Sequence, residues 1–459
     1  MTNMTTQALS MKEINCKVLD NLSVNIKINE NPYDIPVSSV FSMAARNNPK
    51  RSYLFVSKLI GKHIPVRPIV PFTAGYLLAS RLAEYMGLTV NRKKIKEAVS
   101  LLSCEQAGDF QPVSYELSGK SLFIGFAETA TALGHAVYDC FKGNACYLHT
   151  TREDLRGTVD TIFFTEAHCH APEQRCLVCD ASLFTNNDLL VLIDDEITTG
   201  NTCLNFIKTI QEKYPQKHYI ILTILDWRSK EAKEKYALFE QELGIKLEVI
   251  SLYTGSFGCS LSGSAEKEQL SPVNIAVNGK QVILTGEKSE LSRVISHNEP
   301  IGRQINLPGH YSSSYLQYTG RFGINIMDSD GLRKEALRLG RKLSQLRRGE
   351  KTLCLGTGEF MYIPFLIAAG MGPGIAVQST TRSPVQAHLR QGYAVQYAVT
   401  FTDPFRPNIK NFVYNIKPFY YDEVFVFWER EVKPEAVAVL VQSLNGLGIE
   451  RIVFVSHCR

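Results

Sequence analysis

The sequence predicts an α/β protein of two related doubly wound units with mainly parallel sheets, the second a modified copy of the first. Three observations lead there. Short apolar runs of buried-strand character alternate with stretches of helical spacing, the pattern of a parallel sheet flanked by helices. The chain has 459 residues, too many for one ordinary core. Four motifs of the first half also return in the second half, in the same order and at similar spacing.

Composition narrows the class. Apolar content of 44% and charged content of 21% are those of a globular protein. A net charge of +5 is small for this length and gives no overall case for nucleic acid, while local anionic ligands remain open. "MTNMTTQALSMKEINCK" has no apolar core of signal-peptide length, and no 18-residue apolar run occurs. No membrane association is expected, and a cytoplasmic location is the default. Eleven scattered cysteines, an odd number, read as thiols rather than a disulfide framework.

Taken in order, residues 1–36 are polar and irregular, a tail or an edge element. A first unit is expected over 37–258. "TAGYLLASRLAEYMG" places Leu77, Leu78, Leu82 and Tyr85 at helical spacing. "SLFIGF", "DLLVLI", "HYIILTILD" and "KLEVISLY" read as buried strands, and "TATALGHAVYDCF" as a helix. Residues 259–307, rich in Ser, Glu, Lys and Asn, read as a connector with a small hairpin turning at Asn278-Gly279. A second α/β pattern fills 308–459.

The repeat supports the two-unit reading. "KSLFIGFAETATALGHA" resembles "KTLCLGTGEFMYIPFLIAA": Gly125 and Gly356 follow an opening Lys, and Glu128 and Glu359 come three residues later. Thr150-Thr151-Arg152 is echoed by Thr380-Thr381-Arg382, "FFTEAH" by "TFTDPF", and "LLVLIDDEI" by "VFVFWEREV". After the last pair, "YIILTILD" answers "RIVFVS".

"VLIDDEITTGNT" is the stretch with the clearest chemistry. Doubly wound sheets bind ligands beyond the carboxyl ends of their strands, where Asp194 and Asp195 fall. The turn Glu196, Ile197, Thr198, Thr199, Gly200, Asn201, Thr202 leads into a helix, whose first N–H groups and dipole favour an anion. Acceptors at one end of the loop and phosphate donors at the other suit a sugar phosphate. These residues resemble the phosphoribosyl pyrophosphate (PRPP) loop of type I phosphoribosyltransferases, with Glu196 at a position where a small apolar residue is commoner.

The resemblance implies a pyrophosphate loop after an earlier strand, and Ala127, Glu128, Thr129, Ala130 and Thr131 are in that place. Glu128 is odd beside an anion unless it meets Mg²⁺ or a basic partner. The family also closes a mobile hood, for which "HTTREDLRGTVDTIFFTEAHCHAPEQRC" fits as strand, loop and return strand. Arg152 is the first candidate for pyrophosphate contact, with His168 and His170 as candidates for proton handling or leaving-group contact. His168, Cys169, His170, Cys176 and Cys179 do not make a standard zinc pattern. No direct protein cage for a metal is expected, and Mg²⁺ carried by PRPP is the implied cofactor. Upstream, Lys50, Arg51, Lys58, Lys62 and His63 are open between a nucleobase-side wall and a solvated basic edge.

The second unit keeps the Gly/Glu strand end but loses the phosphate turn: "WEREVKPEAVAVL" has neither Gly nor Thr there. Gly356, Gly358, Glu359, Thr380, Thr381 and Arg382 form a candidate second site, the alternative being a purely structural copy. "QSTTRSP" after an N-terminal PRPP loop resembles a bacterial two-domain family, a phosphoribosyltransferase joined to a domain named for its Thr-Arg-Ser-Pro motif. "FVSKLIGKHIPV", "GFAETATALG", "EAHCHA" and "GTGEFMYIP" are similar to its blocks. The resemblance implies transfer of a ribose 5-phosphate to an unidentified base or base-like acceptor. It also implies a setting in stress or tellurium-resistance-type gene clusters that make a nucleotide-like metabolite. A PRPP- or nucleotide-sensing regulator, or a bifunctional protein whose second domain processes the product, are the alternatives. Expected partners are PRPP and the acceptor, with a homodimer and pathway enzymes as further candidates.

Overall fold

The computed structural model describes residues 12–46, 51–104, 110–155, 159–165, 173–261, 275–277, 280–282, 293–305 and 315–458. The first half opens with β1 (Lys12–Leu19), β2 (Leu22–Glu30), β3 (Phe41–Ala45), β4 (Tyr53–Ser57), α1 (Ile69–Tyr85) and α2 (Arg92–Ser103). Then come β5 (Tyr115–Gly125), α3 (Thr131–Tyr138), β6 (Phe141–His149), β7 (Asp160–Thr165) and β8 (Glu173–Val178). It continues with β9 (Leu189–Ile197), α4 (Asn201–Lys213), β10 (His218–Asp226), α5 (Lys230–Leu243) and β11 (Lys246–Leu261).

The second half begins with four short strands and one longer one: β12 (Ile275–Val277), β13 (Lys280–Val282), β14 (Arg293–Asn298), β15 (Gln304–Ile305) and β16 (Tyr315–Leu316). Next are β17 (Ile324–Asn325), α6 (Ile326–Ser344), β18 (Thr352–Gly356), α7 (Tyr362–Ala369) and β19 (Ile375–Ser379). It ends with β20 (Ala398–Asp403), β21 (Arg406–Tyr414), β22 (Glu423–Arg430), α8 (Ala438–Gly446) and β23 (Arg451–Cys458). Among the described residues no helix is long and apolar enough to cross a membrane.

Two doubly wound sheets result. The first runs β1-β2-β11-β10-β9-β5-β6-β17, with β11, β10, β9, β5 and β6 parallel. The second runs β14-β23-β22-β18-β19, all parallel. The parallel core of the first therefore matches the second strand for strand, except at one edge. There β14, from the stretch read as a connector, takes the place that β11 holds in the first sheet. β12 pairs with β13 as the small hairpin, its turn residues 278–279 lying outside the described residues. The polar N-terminal stretch supplies an edge hairpin, β1 with β2, set antiparallel on β11.

The halves interlock through their sheet edges. β17 comes from the second half yet pairs antiparallel with β6 of the first sheet. In return Val66 of the first half bridges to Val377 on β19, the corresponding edge of the second sheet. Between the sheets α3 meets α7, with the His135 and Tyr362 rings stacked at 3.7 Å between centroids. One apolar core runs from Val18 through α1, α3, α6 and α7 to Cys458. Fully buried side chains there, such as Phe365, each contribute about 1.5–3 kcal/mol. The outer faces are covered separately, by α4 and α5 on the first sheet and by α8 with β20–β21 on the second.

The repeated Gly and Thr-Thr-Arg have structural causes. A Cβ on Gly125 would lie 2.7 Å from the Ala130 carbonyl oxygen, and one on Gly356 would lie 2.6 Å from that of Phe360. In each copy the chain folds back over the strand end, so only glycine fits. The first Thr of each triplet donates its N–H to that glycine's carbonyl, at 2.9 Å for Thr150 and 3.0 Å for Thr380. Its hydroxyl accepts from the loop, from Ala127 N–H and Gly358 N–H respectively, both at 2.8 Å. The second Thr bridges to a two-stranded ribbon, Thr151 to Arg175 beside β7–β8 and Thr381 to Phe412 beside β20–β21.

Candidate functional site

β9 is buried through Ile193, and its exposure begins at Asp194. Register explains the change: Ile193 pairs with Gly125, the last residue of β5, so Asp194 and Asp195 pass beyond that neighbour while β10 still flanks them. Asp194 Oδ1 accepts from the Asp195 N–H at 2.9 Å. Burial raises the Asp195 carboxyl above its ordinary range, against hydrogen bonds from Thr129 and Asp194. Glu196 is also raised by burial, and Arg51, 2.5 Å away, opposes the shift.

The turn that follows is built for close approach. Gly200 has φ of +67° and precedes α4 with no side-chain cap. Tyr236 on α5 lies beneath it and donates to the Gly200 carbonyl at 2.8 Å, and a Cβ at Gly200 would lie 2.0 Å from that hydroxyl. Ile197 is buried under the turn, Thr198 is partly exposed and Thr199 exposed. Asn201 takes a hydrogen bond from Lys235 at 2.7 Å.

A cavity of about 610 Å³ opens above these groups. Asp194, Asp195, Glu196 and Thr202 form one wall, and Phe126, Ala127, Glu128, Thr129 and Arg152 another. The two loops picked out in the sequence thus meet on one space. Thr198, Thr199, Gly200 and Asn201 lie at the turn rather than in the lining, while Ala130 and Thr131 are buried behind their loop. His168 and His170 lie outside the described residues.

Glu128 has the basic partner that its position called for. Lys62 Nζ lies 2.5 Å from its carboxylate, and the Arg152 guanidinium 3.7 Å. Burial works against the charge, but Lys62 and Arg152 hold the Glu128 carboxyl below its usual range. Of the other upstream basic residues, Arg51 and His63 line the cavity and Lys58 bonds the Ser38 carbonyl instead. Burial, with Lys62 and Arg46 nearby, pushes His63 down to about 3. Lys50 is outside the described residues.

The candidate second site is divided. Gly358, Glu359 and Thr380 line a smaller cavity of about 60 Å³, Thr381 lines the larger one, Arg382 lines both, and Gly356 is packed at the strand end. Glu359 serves the interface between the halves: its carboxylate accepts from the Thr151 hydroxyl and the Arg152 N–H, both at 2.6 Å. Burial opposes its ionisation, yet Arg321 and these donors bring its carboxyl down to about 2. The contact is reciprocal, for Glu128 accepts from the Arg382 N–H at 3.4 Å. Each half's Glu therefore holds the other half's Thr-Thr-Arg turn.

Several lining residues had no sequence signal: Arg46, Gln174, and Asn408, Ile409, Lys410 and Phe412 on β21. Gln174 fixes the loop from β8, donating to the Ala127 carbonyl at 2.6 Å and accepting from Thr150 at 2.9 Å. Among the described residues no group of three or more His, Cys, Asp or Glu side chains forms a metal cage.

Comparison with known proteins bears on both halves. Residues 40–256 match a family model described as phosphoribosyl transferase, and residues 318–444 match one described as a TRSP domain C-terminal to it. Among solved structures, an adenine phosphoribosyl transferase from Trypanosoma brucei, in complex with AMP, pyrophosphate and ribose-5-phosphate, is 14% identical. The match covers 52% of this chain and 86% of that one at a TM-score of 0.31. The enzyme from Leishmania donovani is 16% identical over 29% of this chain and 56% of its own, at 0.20. That from Giardia lamblia, complexed with 9-deazaadenine, is 16% identical over 34% and 75%, at 0.21. No curated protein matches the chain.

Proposed function

We propose that this chain, a phosphoribosyltransferase domain joined to a TRSP domain, transfers ribose 5-phosphate from PRPP to a base or base-like acceptor and releases pyrophosphate. The observation that carries this reading is the meeting of Asp194, Asp195, the 127–129 loop and Thr202 on one cavity.

The roles follow from chemistry and place. Asp194 and Asp195 accept from the vicinal ribose hydroxyls. The turn Thr198–Thr202 holds the 5-phosphate with backbone N–H groups and hydroxyls at the positive end of α4. Ala127–Thr129 and Arg152 face the pyrophosphate, with Ala130 and Thr131 buried behind them. As the C1–O bond breaks, its electron pair leaves on pyrophosphate and positive charge develops on the ribose ring. The two carboxylates stabilise that charge from a fixed position, and the acceptor's lone pair forms the new bond at C1.

Mg²⁺ is the cofactor this substrate brings. The oxygen donors of Asp194 and Asp195, with those of the phosphates, suit a hard cation. The raised Asp195 carboxyl is a group that a neighbouring cation would keep ionised. When bound, the ion neutralises charge on the leaving pyrophosphate. The product belongs in a nucleotide-like metabolite, its link to stress or tellurium resistance resting on the resemblance alone.

Isothermal titration with Mg-PRPP tests the assignment, comparing wild type with the double variant Asp194→Asn/Asp195→Asn. Affinity should fall at least about 100-fold, as for two charge-assisted hydrogen bonds lost together. Equal binding by both proteins would sink it.

A further inference from the structure

We infer that Arg382, on the second half, is a pyrophosphate-side binding residue of the first half's site. The inference rests on the PRPP reading and concerns what completes that site.

The cavity above Asp194 and Asp195 has a third wall, made by Thr381–Pro384 and by Asn408–Lys410 with Phe412. This wall brings two cations, Arg382 and Lys410, and no carboxylate. It faces the loop that the first half offers to pyrophosphate: the Arg382 N–H reaches Glu128 at 3.4 Å. The Arg382 charge is felt there too, helping Lys62 and Arg152 keep Glu128 ionised against its burial. A leaving group with several negative charges, seated at 127–129, would thus lie between Arg152 of one half and Arg382 of the other.

The backbone that carries Arg382 is held on both sides. Thr381 pairs with Phe412 through bonds of 2.9 and 2.7 Å. Ser383 N–H donates to the Thr381 hydroxyl at 3.1 Å, and its carbonyl accepts from Tyr414 at 2.7 Å. From the first half, Arg46 donates to the Ser383 hydroxyl at 3.1 Å. The Thr-Arg-Ser-Pro turn is therefore locked in place, while Arg382 is partly exposed and lines the cavity. Fixed donors aimed at developing negative charge need no reorganisation when that charge appears. Arg382 supplies charge and hydrogen bonds and takes no proton.

Isothermal titration of the full chain with Mg-PRPP and with ribose 5-phosphate tests this, on wild type, Arg382→Gln and Arg382→Lys. Arg382→Gln should weaken Mg-PRPP by about 10- to 100-fold, the loss of one or two charge-assisted hydrogen bonds. Arg382→Lys should restore part of the loss. Ribose 5-phosphate, which lacks the pyrophosphate, should bind all three proteins within about twofold, because Arg382 stands beside Glu128 of the pyrophosphate loop. Unchanged Mg-PRPP affinity in Arg382→Gln would overturn the inference. So would an equal loss for both ligands, which marks a displaced wall rather than a lost contact. A wild type that binds ribose 5-phosphate but not Mg-PRPP overturns the PRPP reading itself, a result distinct from either.

Discussion

Two strand ends occupy the same place in the two sheets and dispose of charge in opposite ways. Leu192 pairs with Ile124 as Val426 pairs with Leu355, so register puts Trp428 where the first sheet has Asp194, and Glu429 where it has Asp195. This is one residue away from the alignment read in the sequence, which set "LLVLIDDEI" on "VFVFWEREV". Asp195 borders a cavity of about 610 Å³, with Arg51 and Arg152 on neighbouring walls. Glu429 borders one of about 60 Å³ and is already answered: Arg321 donates to both its oxygens at 2.9 Å, and Leu316 N–H donates at 3.1 Å. Arg430 and Arg406 reach Glu153 of the first half, at 3.9 and 2.9 Å. At the second strand end the charges meet one another in ion pairs. A strand end of this fold can serve binding or cohesion, and its partners decide which.

Breaking each end should therefore give different losses. The largest belongs to the second copy. Glu429→Gln weakens the buried Arg321–Glu429 pair while Glu359 still lies 3.6 Å from Arg321, and should cost about 3 kcal/mol of stability. Denaturant unfolding measures it, and a loss under about 1 kcal/mol would show that the pair is dispensable. Gly200→Ala strikes the first copy instead. It strains a φ of +67° and drives a methyl onto Tyr236, so Mg-PRPP affinity should fall by about 10- to 100-fold while the fold survives. Titration with unchanged affinity would remove the turn from the binding site.

Glu359→Gln is expected to cost least, about 1–3 kcal/mol at neutral pH, as a buried acceptor is weakened. Its pH dependence gives the sharper test. A carboxyl held at about 2 in the folded state contributes stability that is complete above the unfolded value near 4.5. That contribution is lost as pH falls from about 4.5 toward 2. Wild type and variant should converge in stability over that window; parallel curves would mean that Glu359 is not the linked group.

The sheets were legible in the sequence because their strands are short apolar runs bounded by turns, and the repeat was legible because its Gly and Thr residues answer to backbone geometry. "IDDEITTGNT" was legible because nothing in a buried strand end calls for two adjacent carboxylates. The third wall was not. Asn408, Ile409 and Lys410 lie on a ribbon of the other half, more than two hundred residues from Asp194, and no local pattern announces which cavity a ribbon will cover. Glu359 was ambiguous for a related reason: its partners, Thr151 and Arg152, are in the other half, so no local pattern told a ligand site from a contact between the halves. β14 was hidden by the polar stretch around it and by entering its sheet out of chain order.

The contacts across the two sheet edges bear on how this chain can be divided. β17 caps β6, and the Val66 bridge caps β19, so a cut anywhere between residues 262 and 292 strips a partner from each sheet at once. Each fragment would leave backbone donors and acceptors open on a sheet edge, the surface that recruits stray strands into aggregates. Coproduced in one cell, the fragments should instead copurify as a pair, each serving as the other's chaperone.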